Sequence, residues 1–172
     1  MKIALALASV LLVMPAAASA GPLDNARDGS LQCYEPDALQ KTCKSLAGYT
    51  FGKQQILSQA EVLVSPTPPL VVKFVSPVQI RGDAVCGPLR KKDVEAAVIV
   101  FQGKVLKGAD AANIRGQLLT AFGPRLEKEV CTTYHKQGDL LVTAVTIAGV
   151  SYPDLRQPVI WVKPSEGYRV GP

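Results

Sequence analysis

The residues most able to do chemistry sit close together in the middle of the chain. Cys86 is followed by Gly87-Pro88, by the cations Arg90, Lys91 and Lys92, and shortly afterwards by Lys104 and Lys107. A turn that leaves backbone N–H groups free, next to clustered cations, is the composition of an anion site. The helix dipole disfavours cations at a helix start, so three there need a reason. Two readings account for them: a solvated charged turn, with Asp93 and Glu95 supplying the favourable charge, or a patch that grips phosphate or carboxylate. The second makes Arg90, Lys91, Lys92, Lys104 and Lys107 the candidate anion-binding residues.

Other chemistries lack their parts. Serine catalysis needs a base and an orienting carboxylate, and the chain has one histidine, His135 beside Lys136, with no Gly-x-Ser-x-Gly elbow. Glycosidase chemistry needs two carboxylates across a cleft. Glu61, Asp83, Asp93, Glu95 and Asp139 are candidates that no spacing brings together, and Glu127 and Glu129 would face different ways on a helix. Cys131 and His135, four apart, match zinc-ligand spacing on a helix, but a thiol already in a disulfide cannot serve. Arg81-Gly82-Asp83 spells an integrin-binding tripeptide and reads as a turn. No phosphate-binding or dinucleotide glycine loop is present. The sequence therefore names no catalytic residue, no metal site and no cofactor.

Lys2, the apolar run Ile3–Met14 and the small residues Ala18-Ser19-Ala20 form a signal peptide over residues 1–20, cleaved before Gly21. The run is shorter than the roughly 20 apolar residues a membrane span needs, so no membrane span is expected after cleavage. Removal leaves 152 of 172 residues as a single domain and lowers the formal charge from +5 to +4. That charge is well short of a nucleic-acid binder.

Cys33, Cys43, Cys86 and Cys131 are an even set in an exported chain, which points to disulfides. Cys33–Cys43 and Cys86–Cys131 are the favoured pairs, with a Cys33–Cys86 staple as the alternative. The longer loop would restrain the unfolded chain by about 3–4 kcal/mol.

The elements that must position these residues are as follows. Residues 21–32 are a loose leader. Asp37, with Gln40 three residues on, caps a helical turn over Ala38–Ser45. Gln55–Val64 alternates as a half-buried strand and Leu70–Ile80 is its hairpin partner, with Pro77 marking an edge or bulge. A short helix over Arg90–Ala97 leads into a strand and a turn at Gly103. Asp110 caps a helix carrying Ile114, Leu118, Phe122, Leu126 and Val130, broken at Gly123-Pro124 and ended by Gly138. Asp139–Val150 and Pro158–Lys163 are strands, and 164–172 is a tail. The predicted fold is α+β: an antiparallel sheet of about four to five strands, with the 110–136 helices on one face, pinned by Cys86–Cys131.

The signal followed by Gln32-Cys33-Tyr34, Lys41-Thr42-Cys43, Arg81-Gly82-Asp83-Ala84-Val85-Cys86-Gly87 and Val145-Thr146-Ile147-Ala148-Gly149-Val150 resembles an uncharacterised family of small exported Gram-negative bacterial proteins with four cysteines and no assigned activity. The resemblance implies a periplasmic or secreted address and carries no catalytic residue. The expected function is that of an exported non-catalytic module that binds an anionic envelope polymer or another periplasmic protein. The alternative is a small hydrolase whose carboxylates meet only in the fold. A third idea, inhibition of lysozyme, is disfavoured because two basic partners repel.

Overall fold

Two long strands set the frame. β3 (Ile56–Pro66) and β4 (Pro69–Arg81) form one antiparallel hairpin, in register from Ile56↔Val78 to Pro66↔Pro69. Ser65-Pro66-Thr67-Pro68-Pro69 turns the chain between them, as its proline content predicts. Ser58 and Ala60 point to one side and Gln59 and Glu61 to the other, which is the period-two alternation of a strand between two environments.

The structure is a computed structural model and describes residues 21–138 and 140–172. The signal peptide expected over 1–20 and Asp139 lie outside the described residues.

Before the frame come α1 (Asp24–Arg27), β1 (Leu31–Asp37) and β2 (Thr42–Phe51). After it come β5 (Ala84–Pro88), α2 (Lys91–Glu95), β6 (Val98–Phe101), β7 (Lys104–Val105) and α3 (Gly108–Phe122). The chain ends with β8 (Glu129–Gln137), β9 (Leu140–Ile147), β10 (Val150–Ser151), β11 (Pro158–Val162) and β12 (Arg169–Val170). Eight strands close in the order β1-β2-β3-β4-β5-β8-β9-β11, with β11 returning antiparallel to β1 through Leu31↔Val162 to Tyr34↔Val159. Every neighbour in the ring is antiparallel. The chain is thus an up-and-down barrel with β6, β7 and α3 inserted between its fifth and sixth staves. Closure removes the exposed edges that an open sheet would present.

This overturns the predicted open sheet of about four to five strands with helices on one face: the described residues are mostly β, and among them α3 is the only helix of any length. The helical reading of 124–136 fails beyond Gly123-Pro124, where Pro124 enters a single 3-10 turn and the β-branched and aromatic run Val130–Tyr134 takes up strand β8. The helical turn over Ala38–Ser45 is instead a tight turn into β2. Asp37 Oδ1 accepts the N–H groups of Leu39 and Gln40, both at 2.9 Å, so the capping chemistry holds while the helix does not. Asp110 lies in the first turn of α3, after an N-cap at Lys107 that makes no side-chain cap bond. The expected leader carries α1, and Leu23 immediately before it is fully buried. In the expected tail, β12 pairs parallel to β2 at Thr42 and Cys43.

Both favoured disulfides are present. Cys33–Cys43 ties the β1–β2 hairpin, and Cys86–Cys131 joins directly opposed residues of β5 and β8 with Cα atoms 4.1 Å apart.

Three apolar clusters hold the fold. Val72, Val94, Ala97, Ile99, Ala111 and Leu118 pack α2 and α3 against β4 and β6, on the face of β4 that Phe74 shares. Leu23, just before α1, and Ala26 of α1 pack with Tyr49, Phe51, Tyr134 and Trp161. Cys33, Cys43 and Val162 form the third. Each fully buried aliphatic side chain contributes about 1.5–3 kcal/mol. On the outer wall Glu61 and Lys73 stand opposite each other and pair at 2.7 Å. Among the described residues no helix is long and apolar enough to cross a membrane.

Candidate functional site: a cavity inside the barrel

An eight-stranded barrel is just wide enough to be filled by side chains or to hold one small ligand. Here it is incompletely filled. A pocket of about 320 Å³ opens on the inward faces of β1–β5 and β8, with Leu89, Asp93, Val94 and Phe122 completing its lining, and it is of the size that small-molecule sites occupy. Its walls are mainly apolar, with Ala60, Phe74, Val78, Val85, Phe122 and Val130 among them.

Its polar end is built by three strands. Tyr34 (β1), Tyr49 (β2) and Tyr134 (β8) all line the cavity and converge on Gln32, which is fully buried. Tyr49 donates to Gln32 Oε1 at 2.6 Å and Tyr34 donates to the same oxygen at 2.9 Å. The Tyr134 hydroxyl lies 3.0 Å from that of Tyr34 and 3.3 Å from Gln32 Oε1. Gln32 Nε2 is buried without a hydrogen-bond partner. Ser58, opposite Tyr49 in the β2–β3 register, Ser76 of β4, opposite Ser58, and Thr132, two residues before Tyr134, add three hydroxyls to the lining.

Burial pushes the phenols of Tyr34 and Tyr49 well above their ordinary value, and the nearby Tyr134 adds to both shifts. A charged oxygen here would lose its hydration without a cation to replace it. Tyr34 and Tyr49 are therefore neutral.

The cavity runs from this cluster to a seam in the wall. On its outer side β4 pairs with β6 through Leu70–Lys73 and with β5 through Gln79–Arg81, so Phe74–Val78 has no strand partner there. Pro77, which lacks an N–H to donate, falls within this interval. The sequence reads Pro77 as an edge or a bulge, and the structure gives it a gap between two partners. Pro77, Pro88, Leu89 and Asp93 line the cavity at the seam. Gly87 is packed so closely that a Cβ there would sit 2.7 Å from the Pro77 carbonyl oxygen. Asp93 is the only charged residue in the lining, and Arg90 satisfies it with two hydrogen bonds of 2.7 and 2.8 Å.

The predicted anion-binding residues are dispersed in their commitments. Arg90 is held by Asp93, and Lys91 lies 3.7 Å from Glu95. The Lys91 backbone N–H donates to Glu127 Oε1 at 2.8 Å, so the protein's own carboxylate occupies the start of α2. Lys92, Lys104 and Lys107 form no ion pair among the described residues.

The candidate acids are likewise spread out. Glu61 pairs with Lys73 on the outer wall, Asp83 sits in the β4–β5 turn, and Glu129 pairs with Arg81. His135 Nε2 lies 3.0 Å from Thr133 Oγ1 on an exposed stretch of β8, and Cys131 is bonded to Cys86.

Sequence reasoning misses Gln32, Tyr34, Tyr49, Ser58 and Tyr134. Read as a strand, Val130-Cys131-Thr132-Thr133-Tyr134 puts Val130, Thr132 and Tyr134 on one face. That period-two signal was available and is masked by the helical spacing of Leu126 and Val130.

These features define the chain's class: a closed antiparallel barrel with an internal, tyrosine-ended cavity. Compared with known proteins, it matches no family model, no curated protein and no solved structure.

Proposed function

We propose that this chain is an exported, non-catalytic binding protein whose barrel interior holds one small, mainly apolar molecule. The observation that carries the reading is the cavity of about 320 Å³ with three tyrosine hydroxyls gathered at one end. A fold that only needed stability would fill that space, because close packing is the rule in protein interiors. Export is supported by the leader-like first 20 residues and by the use of all four cysteines in disulfides.

The reading is tested by titrating the protein with a neutral apolar dye such as Nile red. Saturable binding at one site per chain is expected. Ser76→Phe, which fills the cavity from β4, should abolish it while leaving the fold intact by circular dichroism. Absence of saturable binding, or binding indifferent to Ser76→Phe, would refute it.

A surface reading is favoured by one observation, that Lys92, Lys104 and Lys107 have no ion-pair partner among the described residues. It makes these lysines the remaining contact for an anionic envelope polymer, with Arg90 and Lys91 already engaged. Amide shifts confined to these residues on titration with lipopolysaccharide fragments would support it. No shift at millimolar ligand would end it.

A further inference from the structure

We infer that the molecule held in the barrel is neutral and carries a hydroxyl, its apolar body filling the cavity and its O–H seated against the tyrosine cluster. The inference rests on the binding role proposed above and adds the chemistry of the ligand.

A phenol has one O–H and two lone pairs. Tyr34 and Tyr49 both donate to Gln32 Oε1, at 2.9 and 2.6 Å. The Tyr134 proton has acceptors in Tyr34 Oη at 3.0 Å and Gln32 Oε1 at 3.3 Å. Each tyrosine proton is therefore spent inside the cluster. What Tyr49 and Tyr134 still offer the cavity is lone pairs, so the group that completes them must donate.

An anion is the wrong ligand. Among the described residues no lysine or arginine lines the cavity, and the one carboxylate there is Asp93, already engaged by Arg90. A carboxylate or phosphate would enter without a counter-charge, and an unpaired buried charge costs far more than a hydrogen bond returns. A cation would need an unpaired acid, and the lining supplies none.

Ser58 faces Tyr49 across the β2–β3 pair, and Thr132 lies on the same face of β8 as Tyr134. Their hydroxyls turn freely and can donate as well as accept. An alcohol or phenol can then donate to a tyrosine oxygen and accept from Ser58 or Thr132. An ether or ester satisfies only half of that arrangement.

The experiment uses three ligands of matched length: decanol, nonyl methyl ether and decanoate, the last at pH 8. Emission of Trp161 reports binding, because this single tryptophan stands opposite Gln32 and packs in the same cluster as Tyr49 and Tyr134. Decanol should bind about three- to tenfold more tightly than the ether, the span of one hydrogen bond. It should bind at least about tenfold more tightly than decanoate. In Tyr49→Phe and Tyr134→Phe the preference for decanol over the ether should shrink, while affinity for the ether stays unchanged. If those variants do not fold, the wild-type ratios and Thr132→Val decide. Equal binding of decanol and the ether, or decanoate binding as tightly as decanol, overturns the hydroxyl inference and leaves the cavity reading standing. If none of the three binds, the cavity reading itself falls and takes the inference with it.

Discussion

The Tyr49 hydroxyl donates to Gln32 Oε1 across 2.6 Å, the shortest of three tyrosine contacts made to one amide oxygen inside the barrel. Gln32 is thus the acceptor on which hydroxyls from β1, β2 and β8 depend. Gln32→Leu keeps the volume and removes that acceptor. Leaving buried hydroxyls unpaired costs about 1–3 kcal/mol, and loss of the unpartnered Nε2 offsets part of it. The expected net destabilisation is about 2 kcal/mol by urea denaturation.

The same cluster gives a pH signature. The phenols of Tyr34 and Tyr49 are raised by burial and by Tyr134, whereas in the unfolded chain they titrate near about 10. Above that pH the unfolded state binds fewer protons than the folded state, so stability falls as pH rises. The contribution is fully present below the unfolded value and is lost as pH climbs through the folded ones. Ultraviolet titration should show these two tyrosines ionising only at or beyond alkaline unfolding. A normal titration of all five tyrosines in the folded protein would contradict the burial argument.

The two disulfides should differ in weight. Cys86–Cys131 spans 45 residues and Cys33–Cys43 spans 10. In the chain-entropy model their loops stabilise by about 4 and about 3 kcal/mol. Paired Cys→Ala variants, compared by denaturation, should rank in that order. The reverse order would mean that native contacts around Cys33 and Cys43 outweigh loop length.

Gly87 meets β4 at the seam, with no room for a Cβ beside the Pro77 carbonyl. Gly87→Ala must push β5 away from β4 and should cost about 1–3 kcal/mol. Since both residues line the cavity, the variant should also alter ligand exchange. Unchanged stability would show that the seam yields without cost.

Some of this architecture is legible in the residues alone. The β3–β4 hairpin announces itself through alternation ended by Pro66, Pro68 and Pro69, and the even cysteine count reads as disulfides, of whose three possible pairings the favoured one is present. The closed ring does not. A barrel with Gln32, Tyr34, Tyr49, Ser58 and Thr132 turned inward breaks the apolar-in, polar-out pattern that marks a strand. β8 is hidden further because Leu118, Phe122, Leu126 and Val130 keep a spacing of four across the Gly123-Pro124 break, and that spacing imitates a helix. At the start of the Arg90–Lys92 run the Lys91 N–H takes a carboxylate of the protein itself. That carboxylate is Glu127, 36 residues away, which no local pattern can supply.

The most direct measurement is a set of intermolecular NOEs between bound decanol and the protein. Occupation of the barrel predicts contacts from the alkyl chain to Phe74, Val85 and Val130, and from the carbinol end to the rings of Tyr49 and Tyr134. Contacts confined to outward residues such as Val75 and Val98, with the tyrosine rings silent, would contradict an internal site.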